Sequence, residues 1–383
     1  MNGYGGSILR VNLTEGKITR LPTPADVIRD YIGGRGFGAY FLYHEVPAHA
    51  DPLGPENKLI ISTGPLSGLM IPGAGKCDFS TKSPLTGGYA GSSLGGLFTA
   101  EMKYAGIDSI ILEGISPKPV YLFIDDRKAE LRDASEYWGK GSITVERMFK
   151  EQLGEAFQVA VIGPGGENLV SYASINHDYG REAGRGGVGA VMGSKRLKAI
   201  VLHGTQSVQV ADLAGYRKAG MALFKACKDS DGLKPWQDYG TTIVTSWCDE
   251  VGALPTRNFS AGSFEGGPTL YGPVMREQIV ITDKGCFGCP SPCGKYSRMK
   301  RYGSTVEGPE YETIGMLGSN LGIADIQDVA QANLLCDELG IDTISAGSAI
   351  GWAMECFEKG ILTLEDTGGL DLRFGNVPAV FEL

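Results

Sequence analysis

The chain has 383 residues, a formal charge of −9, eight cysteines and 57 glycines. That length suits two or more domains with a sizeable core. The acidic balance argues against a nucleic-acid partner, and no apolar run is long enough for a transmembrane helix. The start, Met1-Asn-Gly-Tyr-Gly-Gly6, lacks a basic-then-apolar targeting pattern, and cysteines without a secretory signal fit a reducing, cytoplasmic compartment.

In chain order, residues 7–21 alternate apolar and polar side chains around Thr14-Glu-Gly-Lys17 and read as a β-hairpin. A short helix over 26–31 closes on Gly33-Gly-Arg-Gly-Phe-Gly38. Because that run follows a helix, it fails the strand–glycine–helix context of a dinucleotide fingerprint. Residues 59–63 form a predicted buried strand, and 71–96 read almost throughout as turns. A helix is expected over 97–104, strands over 109–113 and 120–124, a helix over 144–153 and a strand over 158–162. A loop at Gly163-Pro-Gly-Gly-Glu167, a strand-like stretch over 170–175 and a strand over 197–202 follow. Beyond about residue 208 the apolar spacing turns helical, over 211–228, 326–339 and 344–359. Residues 374–383 look irregular, and no internal repeat of fixed period is visible. The fold class is therefore α+β: a mainly β domain over 1–208, then an α-helical domain over 209–383 that carries a cysteine loop.

That loop, Cys286-Phe-Gly-Cys289-Pro-Ser-Pro-Cys293, places three thiols on a Gly/Pro-rich segment that no regular helix fits. An iron–sulfur cluster takes four cysteines and uses such spacings. Zinc takes similar pairs, usually as two separate pairs or with His, and the only histidines are His44, His49, His177 and His203. A structural role is the third reading, although Cys-x-x-Cys is poor disulfide geometry. Gly184-Arg-Gly-Gly-Val-Gly189 matches G-x-G-x-x-G only literally, with no strand directly before it and no acid suitably downstream. Backbone N–H groups flanked by Arg181 and Arg185 suit a phosphate or another planar anion; the alternative is a tight turn with two solvated arginines. Lys76 and Lys82 carry the same two readings. Glu307, Glu310 and Glu312 form a charge run, usually a solvated face, but Glu312 enters an apolar helical pattern that would part-bury it and raise its pKa. Asp337-x-x-Gly340-x-Asp342 reads as a helix end with a glycine cap. Cys77, Cys227, Cys248, Cys336 and Cys356 read as small core residues.

These motifs occur in one order: Gly33-Gly-Arg-Gly, Thr63-Gly-Pro-Leu-Ser-Gly, Thr81-Lys-Ser-Pro-Leu-Thr-Gly87, Ile162-Gly-Pro-Gly-Gly-Glu-Asn168 and Ala183-Gly-Arg-Gly-Gly-Val-Gly-Ala-Val-Met-Gly-Ser-Lys195. The cysteine loop, Tyr311-Glu312-Thr and Asp337-x-x-Gly-Ile-Asp342 complete the series, which resembles the tungsten-dependent aldehyde:ferredoxin oxidoreductase family as far as about residue 350. The resemblance implies a bis-pterin centre with tungsten or molybdenum beside one [4Fe-4S] cluster, over a saddle-like N-terminal β domain that binds the pterins. It implies Cys286, Cys289 and Cys293 as three cluster ligands and Glu312 as the glutamate beside the metal. Lys76, Ser93 and Gly95 would contact pterin in one loop and Arg181, Ala183, Gly184 and Arg185 in a second, while Asp337, Gly340 and Asp342 would hydrogen-bond a pterin. Lys76 stands where the family often has Arg, and Ser93 where it often has Asn.

The implied activity is oxidation of a small-molecule aldehyde to a carboxylic acid, with electrons leaving through the cluster to ferredoxin or an electron-transfer subunit, in an oligomeric, anaerobic enzyme. Relatives that reduce carboxylic acids or aromatic acyl-CoA thioesters are the alternative within the family. A zinc-stabilised, glycine-rich binding protein is the alternative outside it. Family chains are longer and carry a second D-x-x-G-L-C motif, whose cysteine is the fourth cluster ligand, and a His near the metal. Neither follows Asp342. The expectation is therefore a partial chain, or a second polypeptide that supplies the rest.

Overall fold

A computed structural model describes residues 1–383. The fold is α+β, sheet-rich in its N-terminal part and largely helical after it. The chain divides into two compact units. The first comprises Met1–Cys227 with two later segments, Cys286–Pro290 and Asp337–Ile341; the second comprises Lys228–Gly285, Ser291–Cys336 and Asp342–Leu383. The first unit thus takes in most of the helix over residues 213–228, and it reclaims part of the cysteine loop and of the Asp337 motif.

Two six-stranded sheets build the first unit. The first holds β1 (Ser7–Asn12), β2 (Lys17–Pro22), β3 (Leu59–Ser62), β4 (Cys77–Lys82), β5 (Tyr89–Leu94) and β6 (Ile107–Glu113), in the order β2-β1-β6-β3-β4-β5. The second holds β7 (Val120–Asp125), β8 (Lys128–Asp133), β9 (Gln158–Val161), β10 (Ile175–His177), β11 (Arg181–Ala183) and β12 (Leu197–His203), in the order β11-β10-β9-β12-β7-β8. Read from the opposite edge, the second order is the first repeated. Each sheet has a single parallel pair at the matching place, β1 with β6 and β7 with β12. The helices repeat too. α1 (Ala25–Tyr31) and α2 (Arg35–Glu45) lie in sequence between β2 and β3, α3 (Phe98–Tyr104) before β6, α4 (Ser142–Leu153) between β8 and β9, α5 (Pro164–Glu167) after β9, and α6 (Val188–Ser194) before β12. The topology is duplicated, although the sequence shows no repeat of fixed period. The repeat is one of topology, carried by apolar positions such as Ile110 and Ile200, and the loops between them differ too much to show a period.

The layers explain the apolar runs. Leu59 and Ile61 join a shared core with Phe98, Met102, Leu122, Val191, Met192 and Ile200, whereas Ile60 and Ile111 face Val27, Phe37 and Phe41 on the outer side. Val159, Val161, Ala199 and Val201 likewise meet Val145 and Phe149 of α4. Strands covered on both faces read as continuous apolar stretches without alternation. Corrections to the expected elements follow the same logic. Residues 71–96 are not mostly turn, because β4 and β5 pair antiparallel from Cys77↔Leu94 to Lys82↔Tyr89, and their Ser, Thr and Gly content disguised them. The stretch over 170–175 is mostly loop, with β10 starting only at Ile175, and β8 went unpredicted because its residues KAELRD lack β-branched side chains.

In the second unit lie α8 (Lys234–Tyr239), α9 (Val244–Glu250) and α10 (Gly272–Gln278), after α7 (Leu213–Lys228). A three-stranded sheet of β13 (Val280–Lys284), β14 (Gly294–Met299) and β15 (Ser304–Glu307) follows. Then come α11 (Tyr311–Thr313), α12 (Ile326–Leu339), α13 (Thr343–Glu358) and α14 (Val377–Glu382). Helix α14, opened by Pro378, lies in the stretch expected to be irregular.

Candidate functional site

Cysteine, lysine and arginine meet at Gly95. A methyl group at this glycine would stand 2.8 Å from Cys286 Sγ and 3.8 Å from both Lys76 Cε and Arg181 Cδ. Three side chains from separate stretches of the chain thus surround one point, and glycine leaves the cysteine loop room there. Gly75 supports the same loop, with its missing Cβ 3.0 Å from Phe287 N and O. Phe287 N–H donates to Gly96 O at 3.1 Å, and its ring packs edge-on to Tyr104 with centroids 6.3 Å apart. The Cys286 carbonyl accepts from Cys289 N–H at 3.0 Å across a tight turn that puts Gly288 at φ +65°. Positive φ at the third turn residue is why glycine stands between the two cysteines.

Lys76 and Ser93 are exposed and line a cleft of about 310 Å3 with Gly33, Gly34, Arg35 and Asp78. Arg35 Nε donates to buried Asp78 Oδ2 at 3.2 Å. Burial raises the Asp78 carboxyl against the pull of Ser80 and Arg35. Sequence reasoning passed over Arg35 because its glycine run failed the dinucleotide test. Its signal was the preceding Gly33-Gly34, which lines the same cleft. Cys77, next to Lys76, is a core thiol pushed up to about 12 by burial, so it is inert, as its apolar setting led one to expect.

The second glycine loop is tied to the β4–β5 hairpin. Ser83 Oγ donates to Gly186 O at 2.8 Å, and the Ser92 hydroxyl donates to Arg185 O. Gly186 and Gly187 have φ +88° and +75°, and a Cβ on Gly187 would strike Ser171 O at 2.1 Å. Ala183 is buried at the end of β11, Gly184 is half-buried, and the Arg185 side chain is exposed. Lys82, the other lysine of the glycine-rich stretch, donates to Ala48 O and Ala50 O at 2.6 and 2.7 Å and so serves the fold.

The Asp337 motif is a helix end and a new helix start. Asp337 is buried, and its carbonyl accepts from the Ser142 hydroxyl and from Gly340 N–H at 3.1 Å. Gly340, at φ +67°, gives its carbonyl to Ser174 N–H at 2.9 Å. Asp342 then caps α13: its carboxylate accepts from Ile344 N–H at 3.3 Å, Ser345 N–H at 3.1 Å and Ser345 Oγ at 2.6 Å. Gly340 and Asp342 thus have capping roles in the fold.

Within the second unit Cys293 is half-buried just ahead of β14. Glu312 is exposed, against the expectation of partial burial; it lies in the short helix Tyr311–Thr313, and the buried apolar stretch after it is a π-helical turn, Ile314–Gly318. Such turns recur at functional positions. Beside it, the Tyr311 phenol is raised first by burial and then by its hydrogen bond with Cys248. No three His, Cys, Asp or Glu side chains are drawn together as a metal-holding group. The donor chemistry nevertheless fits the implied groups in part. Thiols on a glycine-cut turn suit iron, and a lysine and an arginine over a missing Cβ suit a phosphate-bearing cofactor.

Comparison places the chain in an oxidoreductase family. Residues 8–204 match the aldehyde ferredoxin oxidoreductase N-terminal domain, and residues 218–383 match domains 2 and 3 of the same enzymes. The chain belongs to the aldehyde ferredoxin oxidoreductase family. It is 46% identical over 381 residues to a tungsten-containing aldehyde ferredoxin oxidoreductase of Pyrococcus abyssi, matching 98% of this chain and 63% of that protein. It is 34% identical to the WOR-like subunit of an aliphatic sulfonate oxidoreductase of Pyrococcus furiosus, over 100% of this chain and 64% of the relative. Among solved structures, the active-site complex BamBC of benzoyl coenzyme A reductase, with 1,5-dienoyl-CoA, superposes with a TM-score of 0.87 at 31% identity, covering 100% of this chain and 59% of that one. The chain spans less than two thirds of the length of these relatives. No helix is long and apolar enough to cross a membrane.

Proposed function

We propose that this chain supplies the pterin-binding floor and three cluster thiolates of an enzyme that oxidises an aldehyde to a carboxylic acid. The observation that carries the reading is the convergence of Cys286 Sγ, Lys76 and Arg181 around Gly95. When bound, a tungsten or molybdenum bis-pterin centre supplies the Lewis acid and two-electron acceptor, and a [4Fe-4S] cluster carries electrons away singly. Lys76, Ser93 and Gly95 on one side, and Arg181, Ala183, Gly184 and Arg185 on the other, hold the pterin phosphates and ring edges. Asp337, Gly340 and Asp342 present a second pterin-facing turn. Cys286, Cys289 and Cys293 bind the cluster, and the fourth ligand comes from the rest of the protein or from another polypeptide. Glu312, exposed at a helix start, is free to reach a substrate and takes its proton as general base.

The names of the relatives support the tungsten assignment, and the subunit and the complex among them support an electron-transfer partner chain. The likeness to BamBC favours a second reading, reduction of an aromatic acyl-CoA thioester on the same floor. Glu312→Gln in the whole protein separates chemistry from assembly. Tungsten and iron content stay as in the wild type while aldehyde turnover falls by about 10²–10⁴-fold; unchanged turnover removes Glu312 from the base role.

A further inference from the structure

The turn that launches Arg181 is made by the wrong residues. β10 and β11 are joined through Asp178 and Tyr179, at φ +53° and +62°, with Gly180 N–H donating to His177 O at 3.3 Å. The loop between the paired residues His177 and Arg181 has three residues, and a tyrosine at positive φ within it is strained, where glycine, asparagine or aspartate sits more easily. The structure offsets this from outside the hairpin. Glu146, wholly buried on α4, accepts Asp178 N–H through Oε1 and Tyr179 N–H through Oε2, both at 2.9 Å. Two successive left-handed residues turn their N–H groups into a concavity that suits an anion, and Glu146 fills it from within.

The adjoining residue joins this turn to the other glycine loop. His177 Nε2 accepts from Leu97 N–H and Phe98 N–H, both at 3.1 Å, so its Nδ1–H donates to Val159 O at 2.8 Å. Glu146 Oε1 lies 3.8 Å from that Nδ1. The His177 ring also closes on Gly96, where a Cβ would fall 2.6 Å from Cδ2. Glu146 and His177 therefore stand beneath both loops that meet at Gly95. Desolvation pushes the Glu146 carboxyl up to about 7, a cost the fold carries for a group with no contact to solvent.

We propose that Glu146 is a positioning residue for Arg181: its carboxylate pins the left-handed Asp178–Tyr179 turn and so fixes where Arg181 meets Gly95 and Lys76. The proposal rests on reading Arg181 as a contact to the pterin phosphate. The test uses the whole protein with its cofactors and compares wild type, Glu146→Gln, Tyr179→Gly, the double variant and Arg181→Gln. Two quantities are followed, the pterin and tungsten retained per chain after dialysis and the hydrogen exchange of the Asp178 and Tyr179 amides. Glu146→Gln, which keeps the shape but can satisfy only one N–H, speeds exchange at both amides and lowers retention about tenfold, as loss of an outer-shell partner does. Adding Tyr179→Gly, which relaxes the turn, restores retention to within about twofold, while Tyr179→Gly alone changes little. A purely structural role for Glu146 would leave the double variant as poor as the single one, and that result overturns the proposal. So does unchanged exchange in Glu146→Gln, or normal retention despite faster exchange. If Glu146→Gln does not fold, recovery of a loaded protein in the double variant supports the pinning and its failure refutes it. Full retention in Arg181→Gln removes the Arg181 contact and the proposal with it, and a wild type that carries no pterin at all refutes the function itself.

Discussion

At Gly95 a single hydrogen atom decides whether the cysteine loop can dock. Gly95→Ala puts a methyl 2.8 Å from Cys286 Sγ, and the loop is held from behind at Gly75, so it cannot retreat cheaply. Iron bound per chain is expected to fall by half or more in Gly95→Ala. It stays unchanged in Gly88→Ala, where the nearest atom to the new methyl is Thr86 Oγ1 at 3.8 Å. Equal iron in both variants would contradict the cradle. Buried lysines act at the same scale but serve the fold. Lys195 is fully buried, donates from Nζ to Asn57 O at 2.6 Å and Gly114 O at 3.3 Å, and is lowered to about 8, chiefly by desolvation. Because its folded pKa lies below the unfolded value of about 10.4, the unfolded chain binds more protons between about pH 8 and 10.4. Stability owed to this group therefore rises with pH across that window. Wild type should gain on Lys195→Met by a few kcal/mol (order of magnitude) between pH 8 and 10.4 in denaturant titrations. A difference independent of pH would show that Lys195 keeps an ordinary pKa.

At the scale of elements, the Asp337–Asp342 motif shows what a sequence pattern can hold. Its spacing gave the glycine cap directly, and the structure adds that Asp342 caps the next helix with three hydrogen bonds. Asp342→Ala should cost about 0.5–2 kcal/mol of stability in chemical denaturation, the usual value of such a cap. A loss of pterin without that cost would instead favour a ligand role for the carboxylate. Other elements were legible for physical reasons that can be named. Helix α12 was readable end to end because its apolar residues keep helical spacing, and β12 because four apolar or small residues, Ala199–Leu202, run together. β4 and β5 were hidden because they are written largely in Ser, Thr and Gly, the vocabulary of turns. Glu312 was misplaced because the apolar run after it, Ile314–Gly318, is buried on every side of a π-helical turn and so does not mark which face Glu312 takes.

For the whole molecule, the duplicated sheet topology puts one glycine loop at the end of each hairpin, β4–β5 and β10–β11, each followed by a seven-residue helix, α3 or α6. One fold unit used twice suits the proposed cofactor with two similar halves, and in that proposal Gly95 and Gly184 stand in different motifs yet serve one site. The cysteine loop and the Asp337 segment return to this unit from the helical part of the chain, so the candidate ligands lie far apart in sequence and order alone could not gather them. The central claim is that this floor carries a pterin-bound metal with an iron–sulfur cluster. Metal and pterin analysis of the whole protein, purified without oxygen, tests it most directly. The account predicts four iron atoms and one tungsten or molybdenum with two pterins per complete enzyme unit, the ordinary stoichiometry of such centres. Zinc without pterin would contradict it.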